Sequence, residues 1–384
     1  MANNNENKIL NVPNLRFPEF SGEWKKCKFG DIATGFDYGM NAAAKPFDGE
    51  NKYIRITDID EASSTYNDKD LVSPDGSLTD NYMVNERDIL LARTGASTGK
   101  SYLYRKNDGK LYYAGFLIRA NVPEHDPYFV FSQLHTHRYW RWVSIMSARS
   151  GQPGINSQEY SSFPIFTTSL LEENKISILL SLLDERIATQ YKIIEDLKKL
   201  KSAIYQKLFS NLQGEEKFLS ELAEIVKGQQ INGSELSESG KYYVMNGGII
   251  PSGYYDSYNT EAETISISEG GNSCGYVQYN NSKFWSSGHC YTLCIKTTAP
   301  ISTLFLFHFL KWRENDIMAL RIGSGLPNIQ KKDLSKVSIV VPTSAVQQQL
   351  TALFSAFQIK IETEENIAIS LDKQKQYLLL QMFI

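Results

Sequence analysis

Two stretches of the chain repeat apolar residues at spacings of three and four, one in the middle and one at the end. In the first, the pattern is sustained over more than four heptads, which predicts a long helix with a coiled-coil seam. Its seam comprises Ile176, Leu180, Leu183, Ile187, Gln190, Ile194, Leu197, Lys201, Ile204 and Leu208. The second seam comprises Leu350, Phe354, Phe357, Ile361, Glu364, Ala368, Leu371, Lys375, Leu378 and Met382. Both polar interruptions recur at the same places, so we expect the two helices to pair with each other.

These helices close two copies of one sequence pattern. Residues 150–156 read Ser-Gly-Gln-Pro-Gly-Ile-Asn, and residues 324–330, 174 positions later, read Ser-Gly-Leu-Pro-Asn-Ile-Gln. The separation stays at 174 through the helices and widens to 190 upstream, as between Tyr53 and Tyr243. A repeat of this length indicates two related domains, because the units of a solenoid are roughly 20–50 residues long. The duplication predicts a molecule with pseudo-twofold symmetry.

Each copy shows the same order of short strands, a glycine-rich loop, further strands, a helix, a second glycine loop and a long helix. Strand-like segments lie at residues 52–57, 88–93 and 110–120 in the first copy and at 241–245, 263–268 and 290–296 in the second. A helix is expected from Asp126 and Pro127, because Pro favours the first helical position, and its counterpart follows Pro300. Ser169 and Glu172 predict a capping box for the first long helix, and Gly214 is expected to end it.

The expected fold is α+β, with two similar domains separated by a long antiparallel two-helix coiled coil. We expect the first domain at residues 1–168 with a flexible tail at 1–12, the central helix at 169–213, the second domain at 214–342 and the C-terminal helix at 343–384. Antiparallel pairing follows because a domain precedes each helix. Helices of about 40 residues would then separate the domains by about 60 Å.

Composition bounds the class of protein without naming its function. The chain is 42% hydrophobic and 22% charged, which are globular values. Its net charge of −3 means that any DNA-binding face must be a local basic patch. The polar start does not look like a signal peptide, and the longest apolar run is too short to span a membrane. The cysteines Cys27, Cys274, Cys290 and Cys294 have no CxxC spacing and read as free thiols, which favours a cytoplasmic location.

The loop from Gly95 to Ser101 is the strongest candidate for enzyme chemistry. It reads Gly-Ala-Ser-Thr-Gly-Lys-Ser, but a nucleotide-binding loop needs four residues between its glycines and this one has three. The second copy lacks the lysine, and no helical pattern follows either loop. A small nucleotide hydrolase therefore stays as the alternative to a tight turn or a nucleic-acid contact loop. His135 and His137 point in different directions on a helix, so no metal site is expected, and no catalytic signature is recognisable.

The paired glycine loops are rich in side chains that bind bases and phosphates. Asn and Gln can make two bonds to adenine, Arg and Lys can bind guanine, and Ser, Thr and Lys favour phosphate. The candidate DNA-binding residues of the first copy are Thr94, Ser97, Thr98, Lys100, Arg149, Ser150, Gln152 and Asn156. Those of the second copy are Gln229, Gln230, Asn232, Asn246, Asn272, Ser273, Ser324, Asn328, Gln330 and Lys331. The copies share a scaffold but differ in these residues, as expected if each half reads a different sequence.

The central helix also carries apolar residues outside its seam. A two-helix seam does not need Ile178, Leu182 and Ile193. We therefore expect these three residues to contact a partner protein, because they are too many for a solvated helix face.

In these features the chain resembles the specificity subunits of Type I restriction–modification systems. The residues that carry the resemblance are Pro13-Asn-Leu-Arg-Phe-Pro-Glu-Phe20, Trp24 and Gly30-Asp-Ile-Ala33. To these are added the Ser-Gly-x-Pro-x-Ile loop of both copies and the two long helices. The likeness covers essentially the whole chain, and its specificity lies in the order and duplication of motifs that are individually weak.

The resemblance implies a non-catalytic subunit that recognises double-stranded DNA at a bipartite, asymmetric site. It implies that each domain reads a few base pairs and that the helices dock two methyltransferase subunits, with translocase–nuclease restriction subunits joining that core. It also implies that the chain itself holds no cofactor, and that S-adenosylmethionine, ATP and Mg²⁺ belong to the partner subunits.

Overall fold

The chain folds into two compact units of mixed helix and strand. The computed structural model describes residues 11–148, 153–323, 325 and 327–384. The first unit is Met1–Lys192 together with Asn366–Ile384, and the second is Ile193–Glu365. Because this division falls within both long helices, the domain bounds drawn from the sequence stay a prediction.

The first unit contains the elements from β1 to the start of the first long helix. Its helices are α1 (Phe29–Ile32), α2 (Pro127–Gln133), α3 (His137–Ser147), α4 (Ser157–Ser161) and the first part of α5 (Leu170–Phe209). Its strands are β1 (Lys25–Lys28), β2 (Thr34–Tyr38), β3 (Ala43–Pro46), β4 (Lys52–Ile54), β5 (Val72–Asp75), β6 (Asp88–Ala92), β7 (Ser101–Leu103), β8 (Leu111–Tyr113), β9 (Leu117–Asn121) and β10 (Pro164–Thr167).

The second unit repeats this order. Its helices are α6 (Leu219–Leu222), α7 (Thr303–Trp312), α8 (Glu314–Ala319), α9 (Lys331–Leu334) and most of α10 (Ser344–Met382), whose end lies in the first unit. Its strands are β11 (Glu215–Phe218), β12 (Ala223–Lys227), β13 (Tyr242–Met245), β14 (Gly253–Tyr255), β15 (Thr264–Ser268), β16 (Val277–Asn280), β17 (Trp285–Ser286), β18 (Cys290–Ile295) and β19 (Ser338–Val341).

The two units share one sheet topology. The first holds a four-stranded antiparallel sheet in the order β2-β9-β6-β7, and the second holds β12-β18-β15-β16. A smaller antiparallel pair, β1-β10 or β11-β19, accompanies each sheet. The central strand β6 is buried throughout, which suits its run of Ile, Leu and Ala. The internal repeat predicted from the sequence is therefore confirmed at the level of strand order.

Within each unit the two long helices run antiparallel. In the first, Asp184 of α5 contacts Lys375 of α10 at 2.6 Å, and Tyr191 bonds to Asp372 at 2.7 Å. In the second, Lys201 bonds to Gln358 at 2.7 Å, and the Tyr205 ring stacks on Phe354 with centroids 3.9 Å apart. Residue numbers increase along α5 as those of the contacting residues decrease along α10, so antiparallel pairing is confirmed. No predicted seam residue is exposed. The buried side of α5 also includes Tyr205 and Phe209, which the predicted seam left out.

One long-helix side chain in each unit binds the backbone at the start of an equivalent helix, α2 in the first unit and α7 in the second. In the first unit, Glu173 accepts a hydrogen bond from the backbone N–H of Asp126, the N-cap of α2, at 3.0 Å. In the second, Gln347 accepts one from the N–H of Ser302, the N-cap of α7, at 2.9 Å. Both acceptor side chains are buried, so each bond gives a buried polar group a backbone partner at the start of a helix.

Three local predictions are corrected by the structure. Glu172 does not complete a capping box: the Ser169 hydroxyl caps its N–H at 3.3 Å, but the carboxylate turns toward other partners. Helix α5 ends at Phe209, before Gly214. The helix predicted from Asp126 is two helices, because Thr136 caps a second start at α3.

The carboxylate of Glu172 fixes the N-terminal segment against α5. It accepts hydrogen bonds from Arg16 at 2.6 and 2.8 Å, from Trp24 at 3.3 Å and from Thr168 at 2.5 Å. Its side chain is 1% exposed. Burial alone raises the pKa of Glu172, but the bonds from Arg16, Thr168 and Trp24 outweigh it, so the pKa lies below its ordinary value. The ion pair therefore holds the motif around Arg16 in place.

Replacement of Arg16 by Met should destabilise the first unit by about 3–5 kcal/mol, because it leaves a buried carboxylate without its cation. The readout is hydrogen exchange of the buried β6 amides, which reports opening of this unit. Arg141→Met, at an exposed position, is the matched control and should have little effect. The contribution of Glu172 should be complete above its ordinary pKa of 4.5 and be lost as the pH falls through the lowered value. Equal protection in the Arg16 variant and the control would contradict this role.

Candidate nucleic-acid interface

In the first unit the two glycine-rich loops are joined by backbone hydrogen bonds. The N–H of Gly95 donates to the carbonyl of Pro153 at 3.0 Å, and Thr94 forms a bridge with Gly154. The N–H of Ile155 donates to the carbonyl of Arg93 at 2.9 Å. The two glycine-rich loops of the first unit therefore form one surface.

The second unit repeats these bonds one for one. The N–H of Gly271 donates to the carbonyl of Pro327 at 3.0 Å, and Gly270 forms a bridge with Asn328. The N–H of Ile329 donates to the carbonyl of Glu269 at 2.9 Å. Two different sequences thus build the same loop pair, which we call the reading face of each unit: the first glycine loop, the second glycine loop and the strand ends beside them.

The second glycine of the first loop is required by packing. Gly99 has φ +94°, and a Cβ there would lie 2.8 Å from Val143 of α3. Gly275 has φ +92°, and a Cβ there would lie 2.7 Å from the Met318 Cα of α8. Each loop then enters a strand, β7 or β16, whereas a nucleotide loop needs a helix N-terminus at the phosphates. This geometry gives the nucleotide-hydrolase alternative no support.

Among the candidates of the first unit, some form the loop and others are open to solvent. Thr98 is buried, and its hydroxyl bonds to the Gly95 carbonyl at 2.8 Å. Asn156 is exposed and caps α4 by accepting from the N–H of Glu159 at 2.9 Å. The Lys100 ammonium lies 3.3 Å from the carboxylate of Glu61. Thr94 and Ser97 are half-buried, and Arg149, Ser150 and Gln152 lie outside the described residues.

The second unit divides its candidates in the same way. The side chains of Asn246, Ser273, Asn328 and Gln330 are half-buried and make hydrogen bonds within the reading face. The exposed candidates are Gln229, Gln230, Asn232, Asn272 and Lys331, and Ser324 lies outside the described residues. Direct contact between any of these residues and DNA stays a prediction.

A groove beside the first reading face was not predicted from the sequence. It encloses about 620 Å³, and its walls include Asn41, Arg93 and Phe116. Phe116 is 58% exposed. The guanidinium of Arg93 lies over the ring of Tyr38, 4.6 Å from its centroid, and the Tyr38 hydroxyl accepts from the N–H of Ser157 at 3.2 Å. The groove therefore borders Ser157, the residue that directly follows the second glycine loop.

The corresponding place in the second unit holds a different set of charges. Glu269 accepts from Lys227 at 2.6 Å and from the Tyr291 hydroxyl at 3.0 Å. His289, whose side chain is 62% exposed, lies with its Nδ1 3.8 Å from the same carboxylate. These residues were also missed.

One signal could have identified part of this set. Arg93 and Glu269 each directly follow the same strand of the repeat, β6 or β15, and lie just before the first loop, so an alignment extended by one position finds a charge in both copies. The equivalence of Tyr38 and Lys227 could not be recognised by aligning the two copies. A β-bulge between Gly35 and Asp37 adds one residue to the first copy and shifts the alignment.

The described residues contain neither a candidate metal site nor a helix suited to cross a membrane. No three His, Cys, Asp or Glu side chains in this part of the chain are grouped so that they could hold a metal ion. No helix within it combines the length and apolar character that a bilayer span requires.

Gly275→Ala should destabilise the second unit more than Gly271→Ala. Both positions have positive φ, which costs about 1–2 kcal/mol for a residue with a Cβ. Only at Gly275 does the new Cβ also meet a neighbouring backbone, since nothing lies within 4 Å at Gly271. Hydrogen exchange of the β15 amides measures the difference, and equal effects would contradict the packing role of Gly275.

Comparison with known proteins gives one family. Residues 213–373 match the model of the Type I restriction modification DNA specificity domain. A putative type I specificity subunit of Mycoplasma pneumoniae is 34% identical over 157 residues, which are 41% of this chain and 42% of that protein. The chain thus matches less than half the length of this curated relative.

Two solved structures share the fold over nearly the whole chain. The crystal structure of a type I restriction-modification system S subunit from M. genitalium has a TM-score of 0.69 at 20% identity, covering 97% of this chain and 99% of that one. A chain from a study of complex assembly and conformational transition of the type I R-M system has a TM-score of 0.57 at 14% identity, covering 94% and 97%.

Proposed function

We propose that this chain is a specificity subunit of a type I system and recognises a bipartite, asymmetric site in double-stranded DNA for a methylation and restriction complex, because residues 213–373 match the DNA specificity domain of that family. Each unit reads one half of the site with its reading face. The chain is the non-catalytic, sequence-reading member of the complex. S-adenosylmethionine, ATP and Mg²⁺ serve the methyltransferase and translocase–nuclease subunits that it recruits.

The observation that supports this proposal is the duplicated reading face. The backbone bonds that join the two loops are the same in both units, whereas the side chains differ. The shared scaffold does not dictate which polar side chains occupy the exposed positions, and in the second unit these include the amides of Gln229, Gln230 and Asn272. Base edges in the major groove are recognised by such side chains, and a different set in each unit gives an asymmetric site.

The exposed apolar residues of α5 support docking of the methyltransferase subunits. Ile178 and Leu182 are 59% and 58% exposed and lie one turn apart on the first unit's part of the helix. Ile193, in the second unit, is 39% exposed. Leu179, an adjacent apolar residue outside the seam, packs against the core of the first unit instead. Apolar side chains that remain exposed on a rigid helix suit a partner helix.

The experiment that tests the proposed function is the mapping of methylated motifs in cells that carry this chain with its methyltransferase. The expected result is one motif of two short specific halves separated by unspecified bases, absent when this chain is omitted. A motif that persists without the chain, or a single continuous motif, would contradict the proposal.

Leu182→Glu should weaken binding of the methyltransferase, because it places a charge in the proposed apolar contact. Co-purification of the complex measures the loss, and hydrogen exchange shows that the chain stays folded. Ala188→Glu adds the same charge at an exposed position on another side of α5 and should leave the complex intact. Unchanged recovery of the methyltransferase with Leu182→Glu would contradict this docking surface.

Lys100→Gln should weaken binding to cognate and scrambled DNA alike and lower the slope of log K against log salt by about 1, as expected for one lost phosphate contact. Glu61→Gln should have the opposite effect on affinity, because it removes the carboxylate that lies 3.3 Å from the Lys100 ammonium. The control is Lys69→Gln, at an exposed position of the same unit. A loss confined to cognate DNA would instead assign Lys100 to a base.

A further inference from the structure

Arg93 and Glu269 occupy the same position of the repeated scaffold. The N–H of Arg93 donates to the carbonyl of Phe116 at 3.0 Å, and the N–H of Glu269 donates to that of His289 at 2.9 Å. Each residue's own carbonyl accepts from the isoleucine of the second loop. The two reading faces therefore place opposite charges at one equivalent point.

The strands β2 and β12, each separated from β6 or β15 by one strand of the sheet, also differ in a side chain near this point. Tyr38 of β2 pairs with Ile118, and Lys227 of β12 pairs with Tyr291 in the corresponding ladder. The first unit thus combines an aromatic ring with a cation, and the second combines a cation with a carboxylate.

The guanidinium of Arg93 keeps most of its donors available. It lies 4.6 Å from the centroid of the Tyr38 ring, and its one described hydrogen bond is a long contact of 3.5 Å to the Gly115 carbonyl. Among the described residues it has no carboxylate within ion-pair distance. Stacking on an aromatic face orients the planar fork without using its N–H groups, and a fork held in this way suits two parallel bonds to one acceptor pair.

The second unit lacks this donor fork. The Lys227 ammonium is held 2.6 Å from Glu269, so the pair is neutral as a unit. The exposed groups around it are His289 and the amides of Gln229 and Gln230. The charge pattern therefore distinguishes the two faces at the same point of the scaffold.

We propose that Arg93 reads a guanine of the first half-site through the O6 and N7 atoms of that base, and that the second unit makes no such contact at the equivalent position. This assignment rests on the proposed function and names a base-reading residue in it. Guanine presents two acceptors in the major groove at a spacing that a guanidinium fork matches. Tyr38 acts as a positioning residue that orients the fork.

The test measures binding of the chain, in complex with methyltransferase, to its mapped site with each guanine replaced in turn by 7-deazaguanine, which lacks the N7 acceptor. For the unsubstituted chain, one guanine of one half-site should be sensitive. Arg93→Gln should weaken binding to natural DNA by about 5- to 150-fold, the range of one bidentate contact. The same variant should no longer respond to 7-deazaguanine at that position.

Three further variants separate base reading from structure and from phosphate binding. Arg93→Lys keeps the charge without the fork and should lose most of the guanine preference. Tyr38→Phe keeps the ring and should retain that preference, whereas Tyr38→Leu should reduce it. Lys227→Gln, in the other unit, should leave the response to 7-deazaguanine in the first half-site unchanged.

Two outcomes would overturn the assignment alone. One is a complex that is specific for its site but indifferent to 7-deazaguanine throughout. The other is an Arg93→Gln variant that binds all sequences more weakly and keeps the original response, as a lost phosphate contact predicts. A complex with no sequence preference at all would overturn the proposed function and this assignment with it.

Discussion

The hydrogen bond between a long helix and the start of α2 or α7 is the constraint on which each unit depends. Glu173 holds the N-cap of α2, and Gln347 holds the N-cap of α7. Helix α3 follows α2 and packs against Gly99, while α8 follows α7 and packs against Gly275. Each reading face is thereby connected to its part of the helix pair through rigid elements. A loop fixed in this way can present polar side chains to DNA without losing their orientation, which lowers the entropy cost of recognition.

The sequence could predict the features that repeat and are set by local rules. The seam residues are buried or half-buried as expected because their period matches that of a helix facing a partner. The recurrence of the two glycine loops in each copy was recognised from the sequence, and the structure adds that backbone bonds join the two loops within each unit. The capping box failed because Glu172 has a stronger partner, Arg16, which lies 156 positions away. No local pattern reveals a contact between residues so distant in the chain.

The reading face was predicted only in part for a related reason. Its loop residues could be identified from composition, but the groove lies between segments distant in sequence, around Asn41, Thr57 and Phe116. Arg93 was overlooked because an arginine at the end of a buried strand has no local signature, and its meaning comes from Tyr38 on another strand. The opposite charges of Arg93 and Glu269 show how one scaffold supports two chemical preferences. The fold fixes where a side chain stands, and substitution at that point decides what it can bind.

Independent reading of one half of the DNA site by each unit is what the proposed function requires. It is tested most directly by binding of the complex to three DNAs: the intact site, the site with one half scrambled, and the site with the other half scrambled. The chain should be compared with a Gln230→Ala, Asn272→Ala double variant of the second unit, both exposed residues of that reading face. Independent reading predicts that the variant loses preference for one half of the site and fully keeps its preference for the other. Loss of preference for both halves, or for neither, would contradict it.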